Sequence, residues 1–235
     1  VVHSDGRVAL EGLDLDVAAG EHVALVGRSG AGKSTVFALL AGFLEPTAGR
    51  ILVDGRPLAA IDRRAFRAAI VHLPQTPAFF EGSIADNVAM GRPPPSGDQA
   101  RDVARALAAA GADFVDRLPA GADTALGERG RDVSGGEAQR LALARAAYAP
   151  GPLVLLDEPT AHLDADTERR LGAAIADLAR GRTVLSIAHR LDTLAAVDRV
   201  VVLDAGRVVA SGTPAEILPR LRADAPPEQE GAPDA

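Results

Sequence analysis

The chain has no cysteine, a single lysine, and no apolar run long enough to cross a bilayer. Without Cys, neither disulfides nor thiolate metal sites can carry the fold, which suits a reducing compartment without requiring one. The longest apolar stretches, such as residues 153–156, fall far short of the roughly 20 residues of a membrane-spanning helix. The first residue is Val rather than Met, and no basic-then-apolar segment marks a leader, so the sequence reads as an excised piece with more chain expected before Val1. A formal net charge of −7 speaks against a general phosphate-backbone binder, whose affinity comes from clustered Lys and Arg, so nucleic acid is not an expected partner. Of 25 basic residues all but Lys33 are Arg, and that lone lysine calls for a specific explanation.

With 235 residues and 47% hydrophobic side chains, the chain can bury a sizeable core as one large domain, alone or with a subdomain. Short apolar, β-rich runs at 23–26, 51–53, 70–73, 153–156, 184–187 and 200–203 alternate with helical patterns. That alternation predicts an α/β fold with a mostly parallel core sheet. Between Pro74 and Tyr148 the pattern turns to Ala-rich helical stretches, including 99–110 and 137–148, which predicts an inserted helical subdomain at about 76–149. Pro93-Pro94-Pro95-Ser96-Gly97 cannot continue a helix and marks a loop inside it. The domain is expected to span 1–222, and 223–235, mostly Ala, Pro, Asp and Glu, to form a disordered tail. Arg63-Arg64 and Arg169-Arg170 read as solvated helix faces, and His22, His72 and His162 lack a second ligand at zinc spacing.

Gly27, Arg28, Ser29, Gly30, Ala31, Gly32, Lys33 and Ser34 match the Walker A phosphate-loop pattern, between a strand and a helix as the motif demands. The glycines let successive backbone N–H groups face one centre, and the following helix adds its positive dipole end. Lys33 suits the β- and γ-phosphates of a nucleotide, Ser34 a place in a Mg²⁺ shell, and Thr35 a further phosphate contact. A glycine turn that merely joins strand to helix is the simpler alternative, but the complete pattern and the solitary Lys weigh against it.

The apolar strand at 153–156 ends in Asp157-Glu158, where ligands of open α/β sheets bind. Asp157 suits Mg²⁺ through water, and Glu158 suits orienting the water that attacks a γ-phosphate. His189 follows another strand, where it is either a γ-phosphate or Glu158 contact or a buried, hydrogen-bonded histidine.

Ser134-Gly135-Gly136-Glu137, continued by Ala138 to Ala146, resembles the signature motif of the ABC ATPases, a polar cap and glycines opening a helix. The resemblance runs on: Gln75 is similar to the Q-loop glutamine, Thr160-Ala161-His162-Leu163-Asp164 to the D-loop, and His189 to the switch histidine. It implies a P-loop NTPase fold with an N-terminal antiparallel β part. It also implies catalytic roles for Glu158, His189 and Gln75, Mg²⁺ held by Ser34, Gln75 and Asp157, and ATP contacts from the phosphate loop, the signature residues and Asp164. In that family two domains pack head to tail, each ATP lying between one Walker A loop and the partner's signature, so the expected partner is a second such domain, identical or not.

Residues 74–87 resemble the exporter form of the Q-loop region, and Ala125 to Gly130 the exporter X-loop, with Glu128 facing the membrane part. An exporter ATPase on the cytoplasmic face of the cell membrane is implied, with its membrane-spanning domain on the same full-length chain. The His-containing D-loop and residues 141–145 are similar to the CydD/CydC type, which implies export of cysteine or glutathione for cytochrome bd assembly.

Three positions depart from the family pattern. Val133 and Glu137 replace the usual Leu and Gln of the signature; Glu137 either repels the opposite nucleotide or caps the helix with Ser134, and the cap is the preferred reading. His3 stands where an aromatic ring usually stacks on adenine; it is either a weaker stacking partner or an exposed terminal residue. A DNA-repair or translation ATPase and a small-molecule P-loop kinase are the alternatives. The first lacks a basic or coiled-coil insertion here, and the second would need an acceptor pocket in place of Ser134 to Glu137.

Overall fold

Strands buried on both faces read as unbroken apolar runs, and five of the six strands in the main sheet of this protein are built largely from such runs. The computed structural model describes residues 1–2, 6–127, 133–159, 165–188 and 193–223. The first half of the chain supplies β1 (His22–Val26), α1 (Lys33–Leu40), β2 (Leu52–Val53), β3 (Arg56–Pro57), α2 (Arg63–Ala68), β4 (Ile70–Leu73), β5 (Gly82–Ser83), α3 (Ile84–Ala89) and α4 (Gln99–Ala109). The second supplies β6 (Ala125–Leu126), α5 (Gly135–Tyr148), β7 (Leu153–Asp157), α6 (Ala165–Ala179), β8 (Thr183–Ile187), β9 (Arg199–Asp204), β10 (Arg207–Gly212) and α7 (Pro214–Ala223).

The main sheet runs β10-β9-β1-β8-β7-β4, parallel throughout except for β10 at one edge. Side chains alternate across it. Val23 and Leu25 of β1, Leu155 of β7 and Leu185 of β8 join Val36 and Phe37 of α1 in one core. On the other face Val154 and Leu156 of β7 pack with Leu141 and Leu143 of α5 and Leu171 of α6. Ala24 and Val26 of β1 pack there with Ile217 of α7. The helices between β4 and β7 share this core, since Ile84, Val88, Val103 and Leu107 belong to the same buried cluster as Leu73.

One expected strand lies elsewhere. Residues 51–53 were expected among the core strands, but Leu52–Val53 pairs antiparallel with Arg56–Pro57 in a separate hairpin. Asp54 and Gly55 take φ of 50° and 75°, the left-handed pair of a tight hairpin turn, and that turn folds the strand back on itself. Ala205 and Gly206, at 44° and 78°, repeat the device and create the edge strand β10, which the apolar runs did not mark because its residues alternate in exposure. At the chain start, the described antiparallel pairing is a single bridge between Val2 and Val8. Arg63, Arg64, Arg169 and Arg170 are exposed on their helices, and the proline-rich stretch between α3 and α4 is a loop. Residues 224–235 lie outside the described part of the chain.

The start of the sheet is pinned by charge. Arg199 of β9 donates from Nε to Glu21 Oε1 at 2.6 Å and from Nη2 to Oε2 at 3.1 Å, and also from Nη2 to the Asp16 carbonyl. Beside it the His22 N–H donates to Asp198 Oδ2 at 2.8 Å. The Arg199 guanidinium, helped by the Ala18 N–H and opposed by burial, holds the Glu21 carboxyl below its usual value. A carboxyl lowered in the folded state contributes stability that is complete above its unfolded pKa and is lost as pH falls through its folded pKa. Glu21→Gln is therefore expected to lower the thermal midpoint at pH 7 by about 2–4 °C. The difference from the parent should disappear in acid, below the usual carboxylate range; thermal unfolding across pH checks both points.

Candidate functional site

The C-terminal ends of β1, β8, β7 and β4 lie side by side, and the loops leaving them meet there. After Val26 the chain turns at Gly27, with φ 152°; a Cβ at this position would lie 2.2 Å from the Leu203 carbonyl oxygen of neighbouring β9. Gly32, with φ 104°, precedes α1, and a Cβ on it would lie 2.6 Å from Leu10 Cδ2 and 2.9 Å from the Ala9 carbonyl oxygen. Gly206 donates its N–H to the Ala31 carbonyl at 3.1 Å. The loop holding Gly27, Arg28, Ser29, Gly30, Ala31 and Gly32 is thus wedged from behind by the β9–β10 turn and the segment around Leu10. Its shape is set by backbone approach that no larger residue allows at Gly27 and Gly32.

Lys33 opens α1 and is 6% exposed. Its Nζ donates to the carbonyls of Gly27 at 2.6 Å and Arg28 at 3.0 Å, so the ammonium is folded into its own loop. Burial pushes the Lys33 amine below its ordinary pKa, and the nearby Glu158 and Asp157 carboxylates oppose that shift. A buried cation faced by α1's unpaired first-turn N–H groups makes this end of the sheet an anion site. Ser34 is exposed and Thr35 half-buried on the same first turn.

Asp157 is the last residue of β7, in register with Ile187 of β8. Glu158 takes φ 46°, rare for a residue with a side chain, and its N–H donates to the Ile187 carbonyl at 3.2 Å. A left-handed non-glycine residue costs about 1–2 kcal/mol, and such strain concentrates at functional positions. Register explains Glu158's partner. Leu73 of β4 pairs with Leu156 of β7, so Gln75 and Glu158 each stand two residues beyond a paired position, and Gln75 Nε2 donates to Glu158 Oε2 at 2.9 Å.

The start of α5 carries Ser134, Gly135, Gly136 and Glu137. Ser134 donates its N–H to Glu137 Oε2 at 2.7 Å, and Glu137 donates its N–H to Ser134 Oγ at 3.3 Å, a reciprocal cap. Further along α5, Gln139 donates from Nε2 to the Gln75 carbonyl at 2.7 Å. Arg145 donates from Nε to the Asn87 carbonyl at 2.9 Å and from Nη1 to the Ala78 carbonyl at 3.1 Å, with its guanidinium 5.1 Å from the Phe79 ring centre. Asn87, 1% exposed, accepts from the Phe80 N–H and donates to the carbonyls of Phe80 and Ser83, each at 3.0 Å.

Lys33, Asp157, Glu158 and Gln75 therefore gather at one end of the sheet, and the Ser134–Glu137 cap connects to them through Gln139. His3, Asp164 and His189, with Glu128 of the expected X-loop, lie outside the described residues. Sequence reasoning gave no role to Gln139, Asn87 or Arg145. Gln139 did carry a signal, being a polar residue on a helix face otherwise made of Leu and Ala.

The donors suit a hard cation. Ser34 offers a hydroxyl, Asp157 a carboxylate, and Gln75, its nitrogen given to Glu158, an amide oxygen. Among the described residues no group of three or more His, Cys, Asp or Glu could hold a metal ion. An ion here would rest on few protein oxygens and on substrate phosphate, the pattern of Mg²⁺.

The profile of a family described as ABC transporter matches residues 10–161. A lipid A-core flippase of Ralstonia nicotianae is 49% identical over 217 residues, covering 92% of this chain and 37% of that protein. An ATM1-type heavy metal exporter of Novosphingobium aromaticivorans is 46% identical over 214 residues, covering 91% and 35%. A solved bacterial Atm1-family ABC exporter with ATP bound superposes with a TM-score of 0.86 at 42% identity, covering 96% of this chain and 40% of that one. The chain thus spans little more than a third of the length of these curated relatives.

The glycine geometry predicts unequal costs in one loop. Gly27→Ala meets the Leu203 carbonyl and should destabilise by about 2–4 kcal/mol, combining backbone strain with overpacking. Gly30→Ala, at φ 80° with open space around it, should cost about 1–2 kcal/mol. Urea unfolding of the two variants measures the difference.

Proposed function

This chain belongs to the ABC transporter family and is its ATPase domain, and we propose that it drives an exporter by hydrolysing ATP at the site formed by Lys33, Asp157, Glu158 and Gln75. The observation that carries the reading is the buried Lys33 ammonium, set in a glycine loop opposite Glu158 and Asp157. Lys33 would trade its bonds to the loop carbonyls for oxygens of the β- and γ-phosphates, which the first-turn N–H groups of α1 also meet. Ser34 and Asp157 would hold Mg²⁺, with the Gln75 amide oxygen as a further ligand. When bound, the ion neutralises developing phosphate charge.

In the reaction, a water oxygen bonds to the γ-phosphorus while the bond from that phosphorus to the β,γ-bridging oxygen breaks. The bonding electrons leave on ADP, and the water's proton passes to solvent or phosphate. Glu158 orients and polarises the water, for which it must be released from the Gln75 N–H that now occupies its Oε2. His189 is proposed as a γ-phosphate contact. His3 is proposed to lie by the adenine, and Ser134 to Gly136 with Asp164 to serve the nucleotide of a partner domain packed head to tail. Glu137 fits the harmless cap, since its carboxylate is spent on Ser134.

Among the described residues no helix is long and apolar enough to cross a membrane. We place the membrane-spanning part on the longer protein that the relatives exemplify, with this domain at its cytoplasmic face and the Q-loop and X-loop passing motion to it. The relatives named above are called lipid A-core flippase and heavy metal exporter, so they lend no support to the narrower reading of cysteine or glutathione export. Cargo is selected in the membrane part, outside these residues.

Glu158→Gln in the assembled transporter is expected to leave ATP binding within about twofold while lowering kcat by at least about 100-fold. Lys33→Ala should lose ATP binding itself. Unchanged turnover in the Glu158 variant would remove Glu158 from the reaction.

A further inference from the structure

Gln139 sits in the middle of α5, 5% exposed, on a face that is otherwise hydrocarbon. Its Nε2 is bonded to the Gln75 carbonyl at 2.7 Å, while its buried Oε1 has no hydrogen-bond partner among the described residues. An amide that satisfies only half of its polar atoms is a poor choice for packing. A methionine or leucine of similar volume would bury as much surface without stranding an oxygen. The residue's use must therefore lie in the bond it makes.

That bond reaches the backbone of the residue whose side chain holds Glu158. The path is short and continuous: Glu158 Oε2 to Gln75 Nε2 at 2.9 Å, then the Gln75 carbonyl to Gln139 Nε2 at 2.7 Å, then along α5 to the Ser134 cap. The segment beyond Gln75 is held by the same helix, through Arg145 to the Ala78 carbonyl, and by Asn87 at Phe80 and Ser83. Residues 75–83 are thus fastened to α5 and α3, while the strand before them is fastened to β7. Any displacement of α5 against the sheet must act on this bridge.

We propose that Gln139 is a positioning residue, which by gripping the Gln75 backbone makes the hold of Gln75 on Glu158 depend on where α5 lies. With α5 placed as in this structure, the Gln75 amide covers a Glu158 oxygen. A shift of α5 carries the carbonyl with it, uncovers that oxygen and turns the amide oxygen toward the phosphate side. The idea rests on Glu158 and Gln75 acting in hydrolysis as proposed above, but the grip itself is testable without turnover.

Gln139→Met keeps the volume and removes the donor. Three results are expected: a thermal midpoint equal to or above the parent's; amide hydrogen exchange about tenfold faster at residues 75–78 without nucleotide, with β4 and β7 unchanged; and in the assembled transporter a kcat lowered about tenfold with KM for ATP within about twofold. In a Gln75→Ala background the same substitution should change kcat no further, because the grip then has no side chain to place. A purely structural residue would instead lower the midpoint and cut kcat by the same factor in both backgrounds. Parent-like exchange at 75–78, parent-like kcat, or an undiminished effect in the Gln75→Ala background overturns the proposal. If the parent protein hydrolysed no ATP, the hydrolysis reading would fall, while the exchange measurement would still decide the grip.

Discussion

The buried ammonium of Lys33 is the charge that the rest of the site answers. A cation cannot be taken out of water without compensation, and here it comes in layers. The carbonyls of Gly27 and Arg28 accept its hydrogen bonds, and the carboxylates of Asp157 and Glu158 act through space. Each layer demands something of the fold. The carbonyls converge only because Gly27 and Gly32 let the loop pass against Leu203 and Leu10, and the carboxylates are near only because β7 and β1 end together, with β8 between them. The loop atoms now facing the ammonium are uncharged, so an anionic phosphate entering the cradle would compensate it better.

Register then brings a side chain from β4's end onto the charge site. Parallel neighbours with aligned ends place the residue two past Leu73 beside the residue two past Leu156, and these are Gln75 and Glu158. Neither residue is held by its own strand alone: Glu158 is bent out at φ 46° and tied to Ile187, while Gln75 is gripped by α5. The sheet and α5 thus both bear on one hydrogen bond, that of Gln75 to the Glu158 carboxylate. A site built wholly on the sheet would be as well ordered but could not report the position of a helix.

Much of this was legible from residue order. The phosphate loop and the Asp157-Glu158 strand end follow from spacing and polarity that few other structures would require. The helix at Gln99–Ala109 showed in its periodicity. The errors and omissions share a physical cause, namely dependence on a partner remote in sequence. Residues 51–53 look like core strand because their apolarity says nothing about the Asp54-Gly55 turn that removes them from the sheet. Strand β10 is an alternating edge, paired only because Ala205-Gly206 brings it back on β9. The pairing of Gln139 with Gln75 spans 64 positions, and that of Gln75 with Glu158 spans 83; local pattern carries no trace of either.

Helix α5 shows how one element serves two ends without strain. Its first turn is self-sufficient, since the Glu137 carboxylate takes the Ser134 N–H and Ser134 Oγ takes the Glu137 N–H, so it holds its shape with no ligand present. A carboxylate already placed at the positive end of a helix dipole is a weak obstacle to an incoming anion, because the side chain can swing into water at the cost of one exposed cap. Further along, the helix buries Leu141, Leu143 and Tyr148 in the core shared with β7. From this helix Gln139 and Arg145 reach the carbonyls of Gln75, Ala78 and Asn87, bonds that depend little on the identity of the residues held. What they fix is the path of the chain from Gln75 to Ser83. Through that path, and the Gln139 and Gln75 side chains at its start, the helix is joined to the carboxylate.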